Sequence, residues 1–146
     1  LEMGFTNISV LDISKAAIER AQARLGHRSD AIKWIISDIT RFESNEKYDL
    51  WHDRAAFHFL TQQNEIDNYV KLVEKHVKPL GKLIIGTFSV DGPTKCSGIE
   101  IKQYSEDSLY GEFKSKFQKD NCIRIDHHTP SGSSQNFVFC TFEKKV

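Results

Sequence analysis

Short apolar runs rich in β-branched residues alternate along this chain with amphipathic stretches, and this alternation is its most restrictive feature. The pattern is typical of β-α units, in which helices connect parallel strands and pack on the sheet. The run Ile8–Asp12 predicts a first strand, and Ser14 predicts the cap of a helix that ends at Gly26. With 146 residues, the chain has the length of one domain. We therefore predict an α/β protein with a mostly parallel sheet, forming one domain over residues 1–146.

The alternation continues through the chain and changes at its end. Thr61 is a predicted N-cap, after which apolar residues recur at helical spacing until residues 78–81 break the pattern. The last two predicted strands are separated by a turn over 129–134, so they should form an antiparallel hairpin at a sheet edge. The strands predicted after the first are 32–36, 48–52, 83–88, 122–127 and 137–142, and a further helix is predicted over 105–117.

Charge and cysteine content do not indicate a macromolecular partner. Lysine plus arginine equal aspartate plus glutamate at 20 each, so there is no overall field toward nucleic acid or an anionic membrane. The three cysteines have no Cys-x-x-Cys spacing, which favours reduced thiols. No apolar run approaches the roughly 20 residues that span a bilayer, and no signal-peptide pattern is present. We expect a soluble, cytoplasmic protein that binds neither nucleic acid nor membranes.

Acidic residues follow the first two predicted strands. In an open α/β sheet, ligands bind beyond the carboxyl ends of the strands, where helix N-termini offer N–H donors. At such an end Asp12 could accept hydrogen bonds from both hydroxyls of a ribose. Asp38 could accept from an adenine amino group, with Ile13 and Ile39 on the two faces of the ring. The alternative for Asp12 is a turn or capping role, and the alternative for Asp38 is an ordinary strand-ending aspartate.

Residues 51–58, just past the third strand, contain the densest group of titratable side chains. Two histidines, an acid and a guanidinium stand there beside aromatic residues, an arrangement that suits a site in which histidine acts as a base. We favour a site role for His52, Asp53 and Arg54. The alternative is an ion pair between Arg54 and Asp53, or another carboxylate, that only fixes the loop. His58 is predicted to be an ordinary, partly buried ring.

The sequence favours neither a metal site nor a thiol nucleophile. The histidines His52, His58, His127 and His128, taken with the cysteines, show no zinc-binding spacing. Cys96 follows a lysine, which favours a thiolate, but no histidine partner can be assigned to it. We predict no metal ligands and interpret Cys96 as a small loop residue.

Five segments together match a known pattern. Residues 10–14 (VLDIS) look like a ribose-binding segment, 37–39 (SDI) like an adenine-binding segment, and 48–59 (YDLWHDRAAFHF) like a fourth-strand motif. Residues 78–82 (KPLGK) look like the turn into a fifth strand, and 91–98 like a loop near a substrate opening. In this combination the chain resembles class I S-adenosylmethionine-dependent methyltransferases, most closely the small bacterial-type domains.

The resemblance implies a Rossmann-like fold with helices on both faces of the sheet and S-adenosyl-L-methionine as the cofactor. The cofactor-binding residues that it implies are Asp12, Ile13, Asp38, Ile39, Trp51 and His52, and the catalytic residues are His52 and Arg54. The methyl acceptor is expected to be a small molecule, because the chain has no basic strip with interleaved aromatic residues.

The chain departs from the family pattern at its beginning. The first strand and its acidic-x-Gly-x-Gly loop, which hold the methionine end of the cofactor in the family, are missing, and residues 1–5 look like the end of the helix that follows them. That strand would lie between the strands ending at Asp12 and near His52, so its loss would expose two inner edges. We expect roughly 30 or more further N-terminal residues in the natural protein. The alternative is that another strand or another chain fills the gap, the latter for example in a homodimer.

Two other functions share parts of this pattern. An NAD-dependent reductase could have the same alternation and a strand-ending acid, but no catalytic Tyr-x-x-x-Lys pair is found. A non-catalytic, degenerate methyltransferase-like binding module is the main alternative, and a natural protein that began at Leu1 would favour it.

Overall fold

A computed structural model describes residues 1–129 and 132–146. These residues divide into two compact units, Leu1–Glu43 and Ser44–Val146. Each unit combines strands with helices, which confirms the predicted α/β class. Within the described residues, no helix is both long and apolar enough to cross a membrane.

The first unit is a β-α-β arrangement. Its two strands pair in parallel, with Asp12 opposite Ile36 at their carboxyl ends. The helix begins after Ser14, whose hydroxyl accepts from the Ala17 N–H at 3.2 Å, and it ends at Gly26, where φ is 59°. Both helix ends agree with the prediction. The elements are β1 (Ile8–Asp12), α1 (Lys15–Leu25), a 3-10 helix (Gly26–Ala31), β2 (Ile32–Ile36) and a second 3-10 helix (Ile39–Arg41).

The second unit contains a mixed sheet which, over the described residues, has four strands in the order β3-β4-β8-β7. β3 and β4 are parallel, whereas β8 is antiparallel to both β4 and β7. The terminal hairpin is therefore confirmed. Of its two strands, β7 lies at an edge of the described sheet, whereas β8 lies between β4 and β7. The elements are β3 (Tyr48–Arg54), a 3-10 helix (Phe57–Phe59), α2 (Gln63–His76), β4 (Val77–Phe88), β5 (Lys95–Cys96), β6 (Ile99–Glu100), α3 (Glu106–Phe113), β7 (Phe117–His128) and β8 (Ser134–Lys144).

Aromatic rings form the core of the second unit. Phe57 is completely buried, and its ring centroid lies 4.9 Å from that of Tyr69 on α2 and 5.3 Å from those of Tyr104 and Phe113. Phe113 on α3 in turn contacts Phe142 on β8, with the centroids 5.4 Å apart. These contacts hold the short helix after β3 between α2, α3 and the sheet.

Three predicted boundaries were wrong. β3 continues to Arg54, so Asp53 and Arg54 belong to the strand instead of the following loop. α2 is capped by Gln62 and not by Thr61, because Glu65 reaches back to the Gln62 N–H in a capping box. α3 ends at Phe113 and not near residue 117.

The segment 78–81, predicted to be a break before the strand, lies within β4. The pairing with β3 shifts there, from Tyr48 opposite Val77 to Leu50 opposite Lys82. Leu80 has a φ of 61°, so the chain makes a local bulge without leaving the strand. Farther along β4, Gly86 lies against the Phe139 ring, and a Cβ there would be 2.2 Å from the nearest ring carbon.

Loop and cysteine predictions also needed correction. The predicted loop over 91–98 includes β5, which pairs with β6 through a turn at Ser97 and Gly98, both with positive φ. Cys122 and Cys140 lie directly opposite each other in the β7–β8 hairpin and form a disulfide, so the prediction of three reduced thiols was wrong. The sequence spacing does not reveal this pair, because it depends on the register of the hairpin.

The turn predicted over 129–134 is described only at its two ends. The Thr129 N–H donates to the Ser133 carbonyl oxygen at 2.8 Å. Pro130 and Ser131 lie outside the described residues.

Candidate functional site

Asp12 and Asp38 lie at the same edge of the first unit. β1 ends at Asp12, and the Ser37 N–H, just past the end of β2, donates to the Asp12 carbonyl oxygen at 3.2 Å. Asp38 is therefore the second residue beyond a strand that is paired in parallel with β1. The expectation that both acids stand at the carboxyl edge of adjacent strands is confirmed.

Each of the two carboxylates shapes its own loop through one oxygen. Asp12 Oδ1 accepts from the Ser14 N–H at 2.8 Å, which forms the turn into α1. Asp38 Oδ1 accepts from the N–H and from the hydroxyl of Thr40, both at 2.8 Å. These bonds to Thr40 lower the pKa of Asp38, so its carboxyl is ionised at neutral pH. Within the described residues, Oδ2 of each acid makes no hydrogen bond. Each aspartate can therefore hold its own turn through Oδ1 and still accept a hydrogen bond from a ligand through Oδ2.

The isoleucine that follows each acid differs in exposure. Ile13 is 69% exposed at the carboxyl end of β1, whereas Ile39 is partly buried in the short helix that Asp38 caps. An exposed isoleucine beside a carboxylate suits a ligand with an apolar face and a polar edge. The roles of Ile13 and Ile39 at an adenine ring stay a prediction.

β3 separates the second group of predicted residues onto two faces. His52 and Arg54 are exposed on one face, together with Leu50. Trp51 and Asp53 point to the other face, where α2 packs. The structure therefore brings His52 and Arg54 together, but it places Trp51 on the opposite side of the strand, as the two-residue period of a strand requires.

Asp53 is buried in a hydrogen-bond network that the sequence did not reveal. Asp53 is only 7% exposed. Its carboxylate accepts from the Tyr69 hydroxyl at 2.6 Å and from the N–H groups of Ala56 and Phe57 at 3.1 and 3.2 Å. The Tyr69 hydroxyl also accepts from Trp51 Nε1 at 3.2 Å. Burial raises the pKa of Asp53 despite these bonds, and burial followed by the nearby carboxylate raises the pKa of Tyr69.

This network holds the chain where it leaves β3. Ala55 has a φ of 61°, a left-handed conformation that disfavours residues other than glycine. The two N–H bonds to Asp53 on one side and the Ala55 N–H bond to the Gly86 carbonyl oxygen on the other keep that turn in place. Asp53 is thus a structural residue at this turn and does not form the ion pair with Arg54 that we considered as an alternative.

Arg54 has an aromatic neighbour instead of an acidic one. Its guanidinium carbon lies 5.4 Å from the centroid of the Phe137 ring, a cation–π distance. Among the described residues, no carboxylate lies within ion-pair distance of Arg54. The second alternative, in which Arg54 pairs with some other carboxylate to fix the loop, is therefore also not observed.

His58 has the packing position predicted for it, although it is fully and not partly buried. The Phe88 N–H donates to Nδ1 at 3.4 Å, so the neutral ring carries its proton on Nε2. Within the described residues, Nε2 has no hydrogen-bond partner. Because burial disfavours the charged ring, the pKa of His58 falls to about 4.

This burial predicts a pH-dependent stability. Between pH 6.5, the ordinary histidine value, and about 4, the unfolded chain binds a proton that folded His58 does not. The stabilisation is complete above pH 6.5 and is lost as the pH falls towards 4. Lowering the pH from 7 to 5 should reduce the free energy of unfolding by about 2 kcal/mol more in the wild type than in His58→Asn. Denaturant titrations at both pH values measure this difference, and equal pH dependence in the two proteins would contradict it.

Metal binding has no support within residues 1–129 and 132–146, where no group of three or more histidine, cysteine or acidic side chains could hold an ion. Cys96 lies partly buried on β5 as a free thiol. The neighbouring Lys95 extends towards Glu100, with the charged atoms 4.0 Å apart.

Comparison with known proteins identifies a family. Residues 2–92 match the family model described as nodulation protein S (NodS). Malonyl-[acyl-carrier protein] O-methyltransferase 2 of Ilyobacter polytropus is 27% identical over 86 residues, which are 59% of this chain and 32% of that protein. The chain thus spans about a third of the length of this curated relative.

Solved structures show the same fold. The crystal structure of N-methyltransferase NodS from Bradyrhizobium japonicum WM9 matches with a TM-score of 0.77 and 17% identity over 96% of this chain and 74% of that one. The same enzyme in complex with S-adenosyl-L-homocysteine matches with a TM-score of 0.75 and 16% identity, over 96% and 67% of the two chains. The predicted Rossmann-like fold is therefore confirmed. Because the family model covers more than half of the chain, this protein belongs to the NodS family of class I S-adenosylmethionine-dependent methyltransferases.

Proposed function

We propose that the protein is a methyltransferase that uses S-adenosylmethionine to methylate a small-molecule acceptor. The observation that carries the proposal is the position of Asp12 and Asp38 at the carboxyl edge of one parallel sheet, each with a carboxylate oxygen that makes no hydrogen bond within the described residues. Membership of the NodS family supports it. The relatives named above include an N-methyltransferase and an O-methyltransferase, which supports the reaction class.

The chemistry of this edge suits an adenosine. A nucleoside presents ribose hydroxyls and an adenine amino group, all of which can donate hydrogen bonds. An ionised carboxylate has acceptor oxygens and no donor, so it matches these groups. In this proposal Asp12 accepts from the ribose and Asp38 from the amino group. The exposed side chain of Ile13, with Ile39, packs against the faces of the ring.

The reaction requires positioning more than covalent chemistry. S-adenosylmethionine supplies a methyl group on a sulfonium, which a nucleophile displaces in line. The protein has to hold the acceptor atom about 3 Å from that carbon and to exclude water. His52 is exposed at the carboxyl end of β3 and, in this proposal, removes the proton of an acceptor that carries one. Arg54 lies two residues farther along on the same face of the strand.

Substitution of the two aspartates tests the cofactor site. We expect Asp12→Ala and Asp38→Ala each to weaken binding of S-adenosyl-L-homocysteine by about tenfold, since each removes a hydrogen bond to a charged acceptor, worth roughly 1.5–3 kcal/mol. Isothermal titration calorimetry on the full-length protein measures the effect.

Asp30→Ala is a matched control, because Asp30 is an exposed acid in the same unit but away from the carboxyl ends of β1 and β2. Unchanged affinity in both Asp12→Ala and Asp38→Ala would remove these residues from the site. A wild-type protein that does not bind S-adenosyl-L-homocysteine would instead favour the non-catalytic module.

A further inference from the structure

Arg54 carries a charge that the described part of the protein does not neutralise. The adjacent acid, Asp53, points to the opposite face of β3 and is fully used by the Tyr69 hydroxyl and two backbone N–H groups. Two other basic residues on this sheet or beside it contact acids: Arg124 pairs with Asp91 at 2.8 Å, and Lys82 with both Asp120 and Glu143. Arg54 differs from these two residues because its guanidinium lies over an aromatic ring and contacts no acid among the described residues.

That ring gives the guanidinium a fixed support. Phe137 is only 3% exposed, and it packs against Phe88 and Phe139 with ring centroids 4.8 and 5.7 Å away. A cation held over a buried ring loses less side-chain entropy when it binds an anion than a fully mobile side chain does. The backbone of Arg54 is held as well, since Arg54 lies in β3 opposite Gly86 of β4.

We propose that Arg54 binds a carboxylate of a ligand in the methyl-transfer reaction. The inference rests on the proposed function and assigns Arg54 a binding role within it. A guanidinium presents planar N–H donors that match the two oxygens of a carboxylate, and this charge has no acidic partner in the described residues. The methionine end of the cofactor carries one such group, and an acidic acceptor would carry another. His52, exposed on the same face of β3, lies beside this position.

Three probe ligands distinguish a carboxylate of the cofactor from a carboxylate of the acceptor. S-adenosyl-L-homocysteine has the amino-acid carboxylate, whereas 5′-methylthioadenosine has the same nucleoside without it. Malonate, added with S-adenosyl-L-homocysteine at saturation, serves as a probe for an acceptor carboxylate. Calorimetry with these three probes is performed on the full-length wild type and on Arg54→Ala, Arg54→Lys and Lys78→Ala. Lys78→Ala is the matched control, since Lys78 pairs with Asp49 near the other end of β3 and β4.

The expected result is a selective loss. If the carboxylate belongs to the cofactor, Arg54→Ala weakens S-adenosyl-L-homocysteine at least tenfold and 5′-methylthioadenosine less than twofold. If it belongs to the acceptor, the loss falls on malonate alone. In either case Arg54→Lys, which keeps the charge but not the planar donors, gives a smaller loss than Arg54→Ala, and Lys78→Ala gives none.

Three outcomes would overturn the inference. The first is that Arg54→Ala changes none of the three affinities by more than twofold. A wild type that does not bind malonate counts as the same outcome when Arg54→Ala also leaves the affinity for S-adenosyl-L-homocysteine unchanged. The second is an equal loss for S-adenosyl-L-homocysteine and 5′-methylthioadenosine, which would indicate a general disturbance of the site. In both cases the proposed function stands, because the wild type binds the cofactor product. The third, a wild type that binds neither nucleoside, would overturn the proposed function as well.

Discussion

Replacing Phe57 with alanine is expected to lower the free energy of unfolding of the second unit by about 3–5 kcal/mol. Phe57 is completely buried, and its ring contacts three other aromatic rings, those of Tyr69, Tyr104 and Phe113. Because these rings come from α2, from α3 and from the segment between β6 and α3, they cannot all move inward to fill the space. The substitution therefore loses apolar burial and also leaves a cavity.

Urea denaturation monitored by circular dichroism measures this loss. Phe5→Ala makes the same chemical change at a residue that is 60% exposed, and we expect it to change the free energy of unfolding by less than about 0.5 kcal/mol. A loss below about 1 kcal/mol for Phe57→Ala would show that the neighbouring rings move into the space that the side chain leaves, and would contradict tight packing of the cluster.

Replacing Asp53 with alanine is expected to lower the free energy of unfolding by about 3 kcal/mol, the second largest effect that we predict. The substitution removes the acceptor of three hydrogen bonds and leaves the Tyr69 hydroxyl and the N–H groups of Ala56 and Phe57 without their partner in a buried place. Removing the desolvated carboxylate offsets part of this cost, which keeps the expected total below the sum of three unsatisfied groups.

Asp53→Asn separates hydrogen bonding from charge. Its amide keeps one acceptor oxygen for the backbone N–H groups, so we expect a loss of only about 1 kcal/mol. Denaturant titrations of both variants at pH 7 measure the two losses. Equal stability of Asp53→Ala and the wild type would contradict a structural role for the network, and an equal loss in the two variants would assign the effect to the charge.

Local sequence features were sufficient to predict much of the first unit. The strand Ile8–Asp12, the Ser14 cap and the Gly26 stop all follow from interactions within about four residues along the chain. The common edge of Asp12 and Asp38 also followed, since a short β-α-β unit makes its two strands parallel and neighbouring. The cofactor roles of these acids stay predictions because they depend on a ligand.

The second unit shows where such prediction failed. The titratable residues after the third strand were recognised as unusual, but their partners were not. Asp53 is bonded to Tyr69, which is 16 residues away on α2, and Arg54 lies over Phe137, which is 83 residues away on β8. Cys122 and Cys140 were interpreted as separate thiols because only the register of the hairpin brings them opposite each other.

The amino-acid sequence was enough to predict the α/β class, most strand positions, the family resemblance and the acids at the strand ends. These features depend on hydrophobic periodicity, on capping and on short motifs, all of which act over neighbouring residues. Tertiary packing decided how far β3 extends, which of its side chains are buried, and that Asp53 stabilises a turn while Arg54 has no acidic partner in the described residues. The physical reason is that burial and pairing depend on the alignment of distant strands and helices, and the free energy of that alignment belongs to the folded unit as a whole.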